Sequence, residues 1–155
     1  MTPEVKDQIR QASENLKIQD IILFECRLDR PERDPAKLSA TVAQEHKREV
    51  RFFTGQHDTP DGSSSILQVL VSLGTRLVPP SQDNDSEVDA FFVIEADFLV
   101  NYEMKADIDQ ECIKAFADNN AVHNVWPFWR QHVFDMVSRA RLPQLEIPLY
   151  SGFKM

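Results

Sequence analysis

The chain has 155 residues, 42% of them hydrophobic, and 25 acidic against 17 basic side chains give a formal net charge of −8. This length suits one domain with its own core, and the acidic balance argues against nucleic acid and anionic membranes as partners. No stretch approaches the roughly 20 apolar residues of a membrane span, and the first residues lack the apolar core of a secretory signal, so we expect a cytoplasmic protein. Cys26 and Cys112 lie far apart, which predicts buried thiols rather than a disulfide or a zinc site.

The first 105 residues predict a helix followed by a sheet. Thr2 and Pro3 suit an N-cap and a first helical position, and the apolar spacing behind them predicts a helix over residues 3–16. Four segments rich in β-branched and aromatic residues follow within 17–105, and turn-forming runs such as QHDTPDGSSS (56–65) separate them. Because these connections are too short for crossover helices, the sequence predicts a four-stranded antiparallel sheet.

Helices are predicted after the sheet, over residues 107–141. Asp107 and Gln110 have the spacing of a capping box, which predicts that a helix begins there. The polar run at 118–120 predicts the end of that helix.

A last helix is predicted to begin near Pro127, which suits a first turn, and to run to about Arg141. Its apolar residues fall on two faces, so we expect two packing partners. An apolar ribbon punctuated by prolines follows over 142–155. Strands first and helices afterwards predict an α+β class, with residues 1–155 forming a single domain.

The chain from Trp126 onward resembles the closing segment of the SecB family of export chaperones. It reads WPFWRQHVFDMVSRARLPQLEIP, with an aromatic-Pro-aromatic helix start, an arginine shortly after, then MVSR and LPQLEI before a proline. KIQDIILFE and AFFVIEAD are similar to the first and last strands of that family. The resemblance implies a four-stranded antiparallel sheet with helices packed on one side, assembled as a homotetramer that is a dimer of dimers.

The resemblance also implies a function, that of a holdase working without ATP. Such chaperones keep unfolded polypeptides from aggregating, and SecB passes preproteins to the translocase motor SecA. Family members that dock on SecA present two acidic residues four apart on the outer face of the first strand. Here Asp20 is followed by Glu25, which regular strand alternation places on the opposite face, so the spacing argues against SecA docking. SecB-like chaperones that stabilise an antitoxin form a second branch of the family, also with a helix before the first strand.

A holdase needs an extended apolar track rather than one pocket. Burying one large apolar side chain contributes about 1.5–3 kcal/mol, whereas micromolar binding needs about 8 kcal/mol. We predict that the ribbon lies beside the sheet and helps to wall such a track, although each residue alternatively belongs to the core or to an oligomer interface. The predicted client-binding residues are Val50, Phe52, Ile94, Phe98, Trp126, Trp129, Leu142, Leu145, Ile147 and Leu149.

An enzyme is the main contrasting interpretation, and the sequence offers little for it. Only four glycines are present, no phosphate-cradling loop appears, and no nucleophile motif is found. We therefore expect no catalytic site, metal or cofactor, and an oligomeric adaptor that binds one folded partner is the third interpretation. The side chains considered for metal or acid–base chemistry, and interpreted as solvated or structural, are His57 with Asp58 and Asp61, His123 with His132, and Glu95 with Asp97.

Overall fold

A computed structural model describes residues 1–31, 33–34, 43–79 and 90–148 of the chain. Four antiparallel strands form one sheet, and the helices pack on one side of it, so the predicted α+β class is confirmed. The elements in chain order are α1 (Pro3–Glu14), β1 (Leu16–Asp29), β2 (Ala43–Thr59), β3 (Gly62–Val78), β4 (Phe92–Met104), α2 (Gln110–Phe116), a π-helical turn (Ala117–Ala121) and α3 (Val122–Ala140).

The strands lie in the order β1-β4-β3-β2, so β1 and β2 are the two edges of the sheet. β2 and β3 form a hairpin on either side of the predicted turn, and their strands pair as far as Thr59 opposite Gly62, leaving a tight turn between them. Gly62 has a φ of 122°, a conformation that side chains with a Cβ rarely adopt. The prediction of a turn across 56–65 is therefore wrong in extent, because one glycine at the corner lets strand pairing continue nearly to the tip.

The core lies between one face of the sheet and the helices. Alternate residues of β3 and β4 point inward, and Trp129 of α3 is 1% exposed against them. Tyr102 of β4 packs edge-on against Phe116 of α2 with 5.0 Å between ring centroids. The inward residues of the two central strands, all 4% exposed or less, are Leu67, Val69, Val71, Leu73, Leu77, Phe92, Ile94, Ala96, Phe98, Val100 and Tyr102.

α1 closes one end of this core against α2. The Cys112 thiol donates to Gln11 Oε1 at 3.5 Å, and the Lys105 amide donates to the Asn15 carbonyl at 2.8 Å. Cys112 is buried as predicted, but the prediction is wrong for Cys26, which is exposed because it lies on the edge strand β1. Asn15 caps α1, so the helix ends two residues before the predicted position, and Leu16 begins β1 instead. Leu16 is 9% exposed, and its burial against the core explains why the chain leaves the helix there.

The predicted break between two closing helices is wrong, because helix runs from Gln110 to Ala140 through the π-helical turn. Polar residues at 118–120 do not end it, since Asn119 Nδ2 donates back one turn to the Ala115 carbonyl at 2.8 Å. The capping-box prediction is also wrong, because Asp109 is the N-cap and its side chain makes no capping hydrogen bond.

Pro127 lies inside α3 rather than at its start. A proline within a helix costs about 3 kcal/mol, since it removes one backbone hydrogen bond and crowds the preceding turn. Trp126 and Trp129 flank it and are 3% and 1% exposed, and burial of two large side chains contributes about as much or more. Packing against the sheet thus outweighs the local preference for ending the helix.

β1 carries two bulges, and they change which side chains share a face. Leu23 lies opposite Phe98 and Glu25 lies opposite Asp97, so Phe24 is an extra residue. A similar irregularity separates Ile18 from Asp20.

The bulge at Phe24 corrects the prediction for the two acidic residues of β1. Because residues opposite each other in a sheet share a face, Asp20 and Glu25 both lie on the outer face, which the helices do not cover. Asn101 Nδ2 of β4 donates to Asp20 Oδ1 at 2.7 Å on that face. The prediction that Glu25 lies on the other face of the sheet from Asp20 is therefore wrong, because simple alternation of side chains does not allow for the inserted Phe24.

Candidate functional site

α3 runs across the core-facing side of the sheet and makes different contacts on its two flanks. On one flank of α3, the ring of His132 stacks on Trp129 at 6.2 Å and meets Phe98 of β4 edge-on at 6.4 Å. On the other flank, Trp126 and Arg130 donate hydrogen bonds to the chain that follows the helix. The side toward β2 is thus covered by that chain, whereas within the described ranges the apolar residues of β1 remain exposed.

Residues 142–148, called the ribbon here, are held by side chains of the body. The ribbon has no regular secondary structure, but Leu142 and Ile147 are 8% and 9% exposed. Three successive carbonyls of the ribbon accept hydrogen bonds from side chains of β2 and α3. Gln44 Nε2 donates to the carbonyl of Glu146 (3.3 Å), Arg130 Nε to that of Ile147 (2.9 Å) and Trp126 Nε1 to that of Pro148 (2.7 Å).

The turn between α3 and the ribbon is fixed at both of its sides. Arg141 adopts the left-handed helical conformation, with φ 55° and ψ 43°, and the Leu142 amide donates to the Val137 carbonyl at 3.0 Å. This bond is the one that closes a Schellman motif. The guanidinium of Arg30, just past the end of β1, donates to the Ala140 carbonyl. The direction in which the ribbon leaves the helix is therefore set by a capped helix end.

A cleft of about 580 Å³ lies between the ribbon and α3. Phe134 of α3 lines it and is 59% exposed, an unusual state for a phenylalanine. Leu145 of the ribbon lines the facing wall and is half-buried. Pro127, Pro148 and the polar residues Arg130, Gln131, Gln144 and Glu146 complete much of the lining. The cleft accordingly combines apolar walls with groups that hydrogen-bond to a backbone.

Most of the predicted client-binding residues lie in or against one core in this structure. Their role in client binding stays a prediction, but the buried ones do not line an open track here. Ile94, Phe98, Trp126 and Trp129 are 4% exposed or less, Leu142 and Ile147 are 9% or less, Val50, Phe52 and Leu145 are half-buried against the same core, and Leu149 lies outside the described residues.

The apolar side chains that are open lie elsewhere, on the uncovered half of the core-facing side. Ile18, Leu23 and Leu28 of β1 are 46%, 49% and 37% exposed although their partners on β4 are core residues. Phe128, one turn before His132 on the same flank of α3, is 51% exposed. We call these four residues the β1 surface.

Sequence reasoning did not single out the β1 surface, although a signal for it was present. KIQDIILFECRL has apolar residues on both of its faces, and a strand with one solvated face alternates instead. An edge strand that is apolar on both faces indicates a surface that binds another chain.

The outer face of the sheet is charged, with one apolar row across it. Ile22, Leu99 and Leu70 stand side by side on β1, β4 and β3 in that row. The next row places Glu25 beside Asp97, with Ser72 and then Glu49 of β2 beyond.

Glu95 is engaged by cations on this face rather than paired with Asp97 as an acid–base site. Its Oε1 lies 2.8 Å from Lys47 Nζ and 3.5 Å from a terminal nitrogen of Arg27. The stem of Lys47 crosses Gly74, where an added Cβ would come within 2.8 Å of it. The interpretation of Glu95 as part of a polar, solvent-facing side fits this arrangement.

The pKa values of two histidines, His132 and His46, are shifted by their surroundings. Burial lowers the pKa of His132, although the nearby charge of Asp135 raises it, and burial also lowers the pKa of His46. His132 Nε2 is buried and has no hydrogen-bond partner among the residues that the structure describes. His57 and Asp58 lie on β2 rather than in the turn. Within the described ranges, no three His, Cys, Asp or Glu side chains are arranged to hold a metal ion.

No described helix is both long enough and apolar enough to cross a membrane.

Comparison with known proteins supports the fold. No protein-family model matches the chain. No curated protein matches it. The chain is similar to a solved structure from Mycobacterium tuberculosis, the SecB-like chaperone Rv1957 in complex with a ChAD peptide from the HigA1 antitoxin Rv1956. The TM-score is 0.60 and the identity 16%, over 95% of this chain and 99% of that one. The predicted SecB-like arrangement of sheet and helices is thereby confirmed at the level of the fold.

Proposed function

We propose that this protein is an ATP-independent chaperone that holds non-native polypeptide segments, and that an antitoxin is among its clients. The observation that carries the proposal is the open cleft of about 580 Å³ between α3 and the ribbon, in whose wall Phe134 is 59% exposed. Contiguous open apolar area is unusual on a monomeric soluble protein and marks surfaces that bind other chains. The SecB-like fold supports the choice of a chaperone over other binding proteins.

The β1 surface is best explained by a second copy of the chain. β1 is an edge strand with 14 residues, and an exposed apolar edge pairs readily with another strand. A two-fold axis beside β1 would join two sheets at this edge and cover Ile18, Leu23 and Leu28 together. We propose that two such dimers form a homotetramer in the cytoplasm.

The cleft between α3 and the ribbon is then the surface that stays open for clients. Its apolar walls, Phe134 and Leu145, contact side chains of any sequence, which suits clients that share hydrophobicity alone. One such contact is weak, at about 1.5–3 kcal/mol, so repetition of the cleft across subunits supplies the affinity. The net charge of −8 keeps such an assembly soluble and favours basic client segments.

Light scattering tests the holding function. The wild-type protein is expected to suppress aggregation of a chemically unfolded substrate at near-stoichiometric oligomer without ATP. Phe134→Asp should lose most of this suppression, because a carboxylate is disfavoured against apolar client side chains. Phe53→Asp is the matched control, since Phe53 is 52% exposed but lies on the outer face near the β2 edge. A wild-type protein that leaves the scattering unchanged would contradict the proposal.

The assembly has a separate test. Leu23→Asp should shift the protein toward monomer in sedimentation velocity experiments, because the carboxylate would be buried without a partner. Phe53→Asp again serves as the control and should leave the oligomer intact. If Leu23→Asp leaves the oligomer unchanged, β1 is not the contact between copies.

The bound antitoxin peptide of the solved relative favours the antitoxin as a client over exported preproteins. Co-purification from the native host separates the choices. An antitoxin bound to the protein supports the first, SecA supports service in export, and a single folded partner without suppression of aggregation supports an adaptor. The outer-face positions of Asp20 and Glu25 remove the spacing argument against SecA docking, so this experiment decides that question as well.

A further inference from the structure

The hydrogen bonds that the body donates to the ribbon do not depend on the sequence of the ribbon. The contacts from Gln44, Arg130 and Trp126 all go to backbone carbonyls, which every residue possesses. The donors are side chains of β2 and α3, so they remain in place if the ribbon leaves. An unrelated polypeptide lying along the same line would present carbonyls to the same three donors.

The ribbon also has the character of a short client segment. Pro143 and Pro148 favour extended backbone at the residues before them, Leu142 and Ile147. Those two residues point inward and are nearly buried, whereas Gln144 and Glu146 between them are exposed. The segment therefore inserts two large apolar side chains and keeps its polar ones in water.

We propose that residues 142–148 occupy a channel for extended polypeptide between α3 and β2, and that a client segment displaces them from it. The inference rests on the proposed holding function and identifies where and what the chaperone binds. The open cleft with Phe134 at its side lies next to the ribbon, so a client gains a first contact before the ribbon leaves. The ribbon then acts as a strap that covers the channel when no client is present.

The same geometry defines the class of ligand. It is an extended, non-native segment with two large apolar residues about five positions apart, as Leu142 and Ile147 are in the ribbon. Because the donors contact carbonyls, proline is accepted within the segment. A mode in which clients add a strand to a sheet edge would reject proline, since that mode also needs backbone N–H groups.

A loosened ribbon tests the proposal. The probe is reduced, carboxymethylated lactalbumin, which stays unfolded, and its affinity is measured by fluorescence anisotropy. Leu142→Ser with Ile147→Ser removes the two buried anchors and leaves the three donors intact. If the ribbon covers the channel about nine-tenths of the time, its release raises the apparent affinity about tenfold. Phe53→Ser is the control, because it removes a large exposed apolar side chain on the outer face of the sheet, away from the ribbon and the cleft, and its affinity should equal that of the wild type.

The results separate the strap from the holding function itself. If the wild type binds the probe and the anchor variant binds it equally well or more weakly, the strap is overturned. A ribbon that forms a wall of the client track would instead lower the affinity of the protein for the probe when it is loosened. Absence of binding by the wild type and both variants overturns the holding function and the strap together. A synthetic LPQLEIP peptide added in trans should compete with the probe on the anchor variant, and failure to compete also overturns the strap.

Hydrogen exchange on the wild-type protein provides a second measurement that needs no variant to fold. Client binding should speed exchange of the Leu142 amide, because its hydrogen bond to the Val137 carbonyl closes the turn into the ribbon and opens when the ribbon is displaced. Amides of the central strands should be unaffected. Slower exchange of the ribbon on client binding would mean that the client packs on top of it, and this result overturns the strap.

Discussion

Replacing Arg141 by glycine should stabilise the protein, and the reason lies in the helix end that launches the ribbon. Arg141 has φ 55° and ψ 43°, a left-handed conformation in which Cβ crowds the following carbonyl. That crowding costs about 1–2 kcal/mol, and glycine avoids it. Glycine also gives the unfolded chain more freedom, which offsets about 0.4–1 kcal/mol. The net expectation is a gain of roughly 0.5–1 kcal/mol in the free energy of unfolding.

Urea denaturation followed by circular dichroism measures this gain, and for a chain of this length it corresponds to about 1–4 °C in the melting temperature. The Arg141 side chain is exposed, so Arg141→Ala removes the same charge while it keeps Cβ. Alanine should lie within about 0.5 kcal/mol of the wild type, as surface changes usually do. A glycine variant no more stable than the alanine variant would refute the assignment of strain to residue 141.

Three further predictions address other parts of the molecule. Burial lowers the pKa of His132, so the native state stays neutral while the unfolded state takes up a proton, and stability falls as the pH drops below about 6.5. His132→Phe should flatten this loss in urea titrations at pH 5, 6 and 7.5 and add about 1 kcal/mol at neutral pH, because the buried Nε2 has no partner. Asn124→Ala should cost about 1–3 kcal/mol in thermal unfolding, since Asn124 Nδ2 donates at 2.8 Å to the buried hydroxyl of Tyr102. Deleting Phe24 should leave a folded protein with the circular dichroism spectrum of the wild type, because Leu23 and Glu25 keep their partners on β4 when the bulge is removed.

Each of these three predictions has a contradicting outcome. An unchanged pH slope after the His132 substitution would assign the acid sensitivity to His46, the other histidine whose pKa burial lowers. Equal stability of the Asn124 variant would mean that water replaces its bond to Tyr102. Unfolding of the Phe24 deletion would show that β1 needs the bulge for its fit.

The sheet was predictable from the sequence where alternation was regular. β3 and β4 carry large apolar residues at every second position, and these residues form the inward faces of the two strands. β1 resisted the same reasoning, because a bulge adds a residue without any change of composition. The extent of α3 was missed for a related reason, since the penalty at Pro127 is local while the compensating burial of Trp126 and Trp129 depends on residues distant in the chain.

The candidate site was harder to predict than the fold. Apolar residues were easy to find, but hydrophobicity alone does not separate Trp129, which is 1% exposed, from Phe134, which is 59% exposed on the same helix. The difference depends on where the ribbon crosses α3, and that follows from the helix end at Arg141. A left-handed arginine leaves no mark in the sequence, whereas a glycine there would have.

The strand order β1-β4-β3-β2 favours one order of strand pairing during folding. β2, β3 and β4 are neighbours both along the chain and in the sheet. Leu16 at the start of β1, in contrast, pairs with Met104 at the end of β4. Closing so long a loop is entropically costly, so we expect β1 to dock last. During synthesis, the apolar strand β1 therefore stays unpaired until β4 has been translated. The nascent chain is therefore expected to be prone to aggregation until β1 pairs with β4.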